Sequence, residues 1–190
     1  MKRVLGTILL PALAIGLSAC GGDGGAPASA GHSGRSASAG AAHNAQDVMF
    51  AQMMIPHHRQ AVEMAELAAT RAGSPEVREL AVQIAKAQGP EIRTMTGWLE
   101  SWGEPEAGHA GHGMDGMMSG EQMTELEGLS GAAFDRAFLE MMIEHHEGAV
   151  TMARDEQARG GFPDAKAMAG AIVRTQRAEI AKMRKLLEEM

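Results

Sequence analysis

Beyond residue 44 the chain is patterned for helices. Phe50, His57 and Met64 recur every seven residues, with Met53 and Ala61 between them, and so share one helix face. Phe138, His145 and Met152 repeat that face. A second stripe runs through Val77, Ala81, Ile84, Gln88, Glu91, Met95, Trp98 and Trp102, and its repeat through Ala165, Ala169, Ile172, Gln176, Glu179, Met183, Leu186 and Met190. Asn44, with Asp47 three residues on, is placed to cap a helix that runs to Gly73. Ser74 and Pro75 open a second helix, which ends around Trp102-Gly103. The next pair spans 131–159 and 163–189, broken by Gly160-Gly161 and Pro163. Two long hairpins with apolar stripes predict an all-α four-helix bundle.

The two hairpins are copies. An ungapped offset of 88 residues aligns Asp47 with Asp135, Phe50 with Phe138, His57 with His145, Gly73 with Gly161, Pro75 with Pro163 and Glu91 with Glu179. Roughly 20 of about 53 positions agree, a density that marks internal duplication. The copies differ at Pro56, whose counterpart is Glu144. Inside a helix Pro56 would free the Gln52 carbonyl and kink the chain.

The segments before and between the hairpins are of other kinds. Lys2 and Arg3 precede the apolar run "VLGTILLPALAIGL", too short and too broken by Pro and Gly to span a membrane well. It ends in Leu17-Ser18-Ala19-Cys20, which resembles the bacterial lipoprotein box whose cysteine is lipidated after cleavage. The expected organisation is a signal peptide at 1–19, a Gly/Ala/Ser-rich tether at 20–43 and the bundle at 44–190. Within the bundle lie a hairpin at 44–103, a linker at 104–130 and a hairpin at 131–190. The protein is then anchored to a membrane through Cys20 and lies outside the cytoplasm. Cys20 is the single cysteine, so no disulfide forms within the chain.

Charge narrows the partners. The formal charge is −7, and losing Lys2 and Arg3 with the leader makes it −9. An acidic chain of this kind is not a nucleic-acid binder, nor does it adhere directly to anionic lipid. It suits a protein that meets cations.

The chemistry lies in "MMIPHH" (53–58) and "MMIEHH" (141–146). Met53–His57 and Met54–His58 are i,i+4 pairs and Met54–His57 is i,i+3, so thioether and imidazole share a face; Met141, Met142, His145 and His146 repeat this. His58 and His146 lie one step round from the seam and are expected to be less central. Counting outward from the turn at Gly73-Ser74 sets His57 level with Gln88 and Glu91, and Met53 level with Met95. The second copy sets His145 level with Gln176 and Glu179. Thioether with imidazole suits Cu(I) or Ag(I); imidazole with carboxylate suits Cu(II) or Zn(II). The linker stretch "GHAGHGMDGMM" adds His109 and His112 among further methionines. Ser119 and Gln122 have the spacing of a capping box for a short helix over Met123 and Leu126.

Each feature also has a plain structural reading. Methionines at helical spacing fill cores, and a buried His–Glu pair often serves only the fold. The duplication of adjacent His, adjacent Met and a seam Glu is what favours a metal site.

The motifs "MMIPHHRQAVEMA", "FDRAFLEMMIEHHEGAVTMA" and the twice-written Q-x-x-E-I-x-x-M (88–95, 176–183) resemble the bacterial domain-of-unknown-function family 305, over almost everything from residue 44 onward. That resemblance implies an exported, ferritin-like helical bundle. It implies copper binding as in some members, with His57, His58, His145, His146 and the neighbouring methionines as ligands. The expected function is copper binding for buffering, tolerance or handover to a donor or acceptor protein, by coordination and without turnover. Two alternatives stand beside it. One is a ferritin-like redox enzyme with iron or manganese, against which Met54 and Met142 stand where glutamates would be needed. The other is a metal-free structural or partner-binding lipoprotein.

Overall fold

The computed structural model describes residues 42–106 and 115–190. Cys20, the leader, the tether to residue 41 and the linker histidines His109 and His112 lie outside the described residues. Five helices follow in order: α1 (Ala45–Arg71), α2 (Pro75–Trp102), α3 (Gly120–Gly128), α4 (Gly131–Arg159) and α5 (Pro163–Glu188). The four long ones make an all-α bundle.

Local chemistry sets the helix ends. The Asn44 side chain accepts from the N–H groups of Gln46 and Asp47, and Asp47 accepts from the Asn44 N–H at 2.6 Å, closing a capping box. Ser74 caps α2 ahead of Pro75, and Gly103 ends it in the left-handed region at φ 74°. Ser119 and Gln122 form the box that starts α3. Pro56 and Pro90 sit inside α1 and α2, and both helices run on through them.

The hairpins α1–α2 and α4–α5 meet through α1 and α4. Their ends are tied by an exchange. Asp47, at the start of α1, accepts from the N–H groups of Gly161 and Phe162 at 2.9–3.1 Å, just beyond α4. Asp135, at the start of α4, accepts from the N–H groups of Gly73 and Ser74 at 3.0 and 2.7 Å, just beyond α1. The two contacts are the same contact under the 88-residue offset, so α1 and α4 run antiparallel about a pseudo-twofold axis. Each aspartate satisfies N–H groups at the other hairpin's turn that no helix hydrogen bond reaches.

The apolar core is in two parts. One gathers Ala61 to Ala72 with Val77 to Ile84, Phe134 to Met142 and Met183. The other gathers Phe50 to Ile55 with Met95, Leu99, Ala149, Ala153 and Ala165 to Ile172. Residues 57–58 and 145–146 fall between them. A polar layer therefore crosses the middle of the bundle, with Met54 in one apolar half and Met142 in the other.

Candidate metal centre

The polar layer is built from four histidines, and all four are fully buried. His57 and His145 meet across the α1–α4 contact with ring centroids 3.7 Å apart and planes tilted by 40°. His58 Nε2 lies 2.8 Å from Glu91, and His146 Nε2 lies 2.7 Å from Glu179. Gln88 and Gln176 are buried in the same region of α2 and α5.

This arrangement corrects the expected pairing. The count from the turn gives the right level along the bundle, but the glutamate meets the second histidine of each pair and not the first. Successive helix residues are about 100° apart, so neighbours face different partners. His57 and His145 face the opposite hairpin, while His58 and His146 face the second helix of their own. His58 and His146 are accordingly as central as their neighbours. The methionine order is corrected in the same way. Met54 and Met142 are fully buried, whereas Met53 and Met141, placed on the inward face by the heptad count, are only half-buried. Glu91 and Glu179 reach the layer from its edge and keep 25% and 15% side-chain exposure. They are not the deeply buried carboxylates that the seam pattern implied.

The electrostatics follow from burial. His57 is pushed down to about 3, first by burial and then by the proximity of His58 and His146; the Asp115 carbonyl opposes this slightly. His145 is held well below the usual imidazole range, again by burial first and then by its three histidine neighbours. Burial thus favours the neutral form of both rings, the form that keeps a lone pair for a metal.

Six imidazole nitrogens in the layer make no well-formed hydrogen bond: both of His57, both of His145, and Nδ1 of His58 and His146; the backbone of Asp115 approaches His57, and that of His57 approaches His145, without completing one. Unsatisfied buried polar groups cost about 1–3 kcal/mol each, so a layer holding six of them is poorly explained by packing. The glutamates add direction. By accepting the Nε2–H of His58 and His146 they leave each Nδ1 as the lone-pair nitrogen, the outer-shell device that orients metal-binding histidines. The donor set is imidazole with thioether flanking it in Met54 and Met142, which fits copper. Among the described residues, no three His, Cys, Asp or Glu side chains converge closely enough to hold an ion by themselves. A full ligand set therefore needs thioether sulfur, or a small movement of the rings.

One side of the layer is covered by the end of the linker. Gln60 grips the Met118 backbone twice, donating to its carbonyl and accepting from its N–H, both at 2.8 Å. Gly148, the counterpart of Gln60 in the second copy, lies directly under Asp115 and Gly116; a Cβ there would overlap the Asp115 carbonyl oxygen. Gly116 takes φ 80° and packs on the Glu144 and His145 carbonyls, where any side chain would clash. The backbone thus crosses α4 beside His145, at a point that only small residues permit.

Sequence reasoning missed Glu156. It is fully buried on α4 beside Asp47, and neither of its oxygens makes a well-formed hydrogen bond. Burial first, and then the adjacent Asp47 carboxylate, push it up to about 8. Burial also works to raise Asp47, but hydrogen bonds from Glu156 and from the Asn44, Phe162 and Gly161 backbone outweigh it and hold Asp47 low. Two adjacent carboxyl groups can bond only if one keeps its proton, and the upward shift marks Glu156 as the one that holds it more tightly. Its counterpart in the first copy is Ala68, so the duplication gave no hint of it.

Comparison with known proteins adds relatives to this geometry. The family model described as domain of unknown function DUF305 matches residues 47–187. A DUF305 protein from Streptomyces coelicolor is similar at 37% identity, over 76% of this chain and 93% of that one, with a TM-score of 0.72. A DUF305 fragment from Deinococcus radiodurans is similar at 35% identity, over 77% and 98%, with a TM-score of 0.71. CopM in its Cu(I)-bound form is similar at 33% identity, over 75% and 96%, with a TM-score of 0.65. CopM has also been solved bound to Cu(II) and to Ag. Comparison with curated proteins finds no match.

Proposed function

Because the chain belongs to the DUF305 family, we propose that its histidine layer binds copper, favouring Cu(I), in the service of copper buffering, tolerance or handover. The observation that carries this is the set of six unpartnered imidazole nitrogens, buried together between Met54 and Met142. The similar protein CopM, solved with Cu(I), Cu(II) and Ag, supports copper as the ion.

In this reading His57 and His145 are shared ligands on the pseudo-twofold axis. His58 and His146 supply Nδ1 and are held by Glu91 and Glu179. Met54 and Met142 supply sulfur from the two sides. The His57–His145 contact favours one shared site over two equal ones. Coordination is the whole of the chemistry, and no reaction turns over. The ferritin-like oxidase reading is weakened by Met54 and Met142, which fill positions where bridging iron would want carboxylate. A lipid anchor at Cys20 would hold the bundle outside the cytoplasm; no helix among the described residues is long and apolar enough to cross a membrane.

Burial bears on acid sensitivity. Ordinary histidines would lose copper as pH drops through 6.5. Burial holds His57 down to about 3 and His145 low as well, so protons compete less with a metal at these two rings than at exposed histidines.

The test is metal stoichiometry by elemental analysis of protein lacking its leader, loaded with Cu(I) under reducing conditions. Replacing His57 and His145 together by Leu removes core copper in this reading. Unchanged stoichiometry refutes it. Replacing His109 and His112 by Ala separates any contribution of the linker.

A further inference from the structure

We propose that Met49, Met53 and Met152 form a second site, at the surface, for a soft monovalent cation of the Cu(I) or Ag(I) class. The three thioethers line one open cleft of about 140 Å³ between α1 and α4, with Gln46 and Asp155 at its rim and Phe50 beneath. No histidine borders it. Met49 lies eight residues before His57, Met53 four before it and Met152 seven after His145, so the cleft lies about 6–12 Å along the helices from the histidine layer. It shares no imidazole with that layer and stands or falls separately from it.

Three features assign the cleft to a cation of this kind. Met49 and Met53 are one helical turn apart on α1, and Met152 lines the same cleft from α4, so three methionine side chains from two helices border one space. Met49 is 42% exposed, which opens the cleft to ions in solution. The carboxylate at the rim draws cations in, yet Asp155 is held by Arg159 at 2.7 Å, which leaves sulfur as the principal donor. Thioether sulfur selects soft ions and binds Mg²⁺, Ca²⁺ or Zn²⁺ poorly.

The second copy of the hairpin lacks this feature. The counterparts of Met49, Met53 and Met152 are Ala137, Met141 and Met64. Met64 is fully buried, and Ala137 has no donor to offer. The second hairpin therefore does not repeat the cleft, and Met49 is the residue that sets the first apart.

The experiment follows methionine ε-methyl resonances in ¹³C-labelled protein lacking only its leader, titrated with Ag(I) and separately with Zn(II). Single substitutions M49L, M53L and M152L assign the three signals; Leu keeps the volume and removes the sulfur. The expected result is that these three methyls shift together with Ag(I) and stay still with Zn(II). The triple substitution is expected to lower bound Ag(I) by one equivalent while the Met54 and Met142 signals still respond. Cleft methyls that stay fixed while Met54 and Met142 shift overturn this site and leave the core reading intact. Equal shifts with Zn(II) overturn its softness. Fixed Met54 and Met142 signals beside shifting cleft methyls support this site and count against the core alone.

Discussion

Replacing Glu156 by Gln tests the buried carboxyl pair and at the same time exposes the histidine layer. Gln has the same shape, and its amide can donate to Asp47 as the protonated carboxyl does, but it cannot ionise. Glu156 is raised from 4.5 to about 8 in the folded protein, so its stabilising contribution is complete below 4.5 and is lost as pH rises through 8. At about 1.4 kcal/mol per pH unit, the cost to the native protein is about 3 kcal/mol at pH 7 and just under about 1 at pH 5. His57 works in the opposite sense. Lowered from 6.5 to about 3, it contributes stability above 6.5 that drains away as pH falls, about 2 kcal/mol of it by pH 5. His145 adds to that loss. In the metal-free wild type these effects oppose one another between pH 7 and pH 5. The assay is urea unfolding of metal-free wild type and E156Q at both values, followed by circular dichroism. The stability gap between the two proteins should shrink by about 2.5 kcal/mol on going from pH 7 to pH 5, however well the amide packs. E156Q itself should lose stability as acid reaches the histidines. A gap that does not change with pH would mean that Glu156 is ionised in the folded protein and that no proton is shared with Asp47.

Other outcomes follow from the same geometry. E91A removes the acceptor that orients His58, so Cu(I) affinity should fall about 10–100-fold in competition with a chromophoric chelator. Because Glu91 is partly exposed, the same change should cost stability of only about 1.5–3 kcal/mol by urea unfolding. D135A leaves the Gly73 and Ser74 N–H groups without acceptors and should lower stability by at least about 2 kcal/mol; D47A should cost more, since it also strands Glu156. G148A should displace Asp115 and Gly116 and speed proteolysis within 115–118, while the helix itself gains about 1 kcal/mol from the alanine. Unchanged cleavage would show that the backbone crossing is not held there.

The bundle was legible because each of its levels was written locally. The seven-residue recurrence of Phe50, His57 and Met64, the caps at Asn44, Ser74 and Ser119, and the 88-residue repeat all point to one architecture. The level of the site was legible too, since counting from Gly73-Ser74 brings residues 57–58 opposite Glu91. Rotation about the helix axis was not. A heptad count averages a 3.6-residue repeat, and it cannot say which of two adjacent histidines faces its own hairpin and which faces the other one. The contact between α1 and α4 decides that, and it is a property of both hairpins together. Glu156 escaped for a related reason: its partner is 109 positions away, and no periodic pattern marks a carboxylate that is buried by keeping its proton.

The exchanged aspartates say something about ancestry. A contact in which Asp47 reaches one turn and Asp135 reaches the other is self-complementary, the kind that two identical subunits make about a dyad. A single hairpin carries half of each such clasp and only two of the four central imidazoles. It would have to recruit a second copy of itself to finish either one. Joined in one polypeptide, the two halves need not match, and Pro56, the exposed Met49 and a one-sided strap of backbone each mark one half of an otherwise symmetric object.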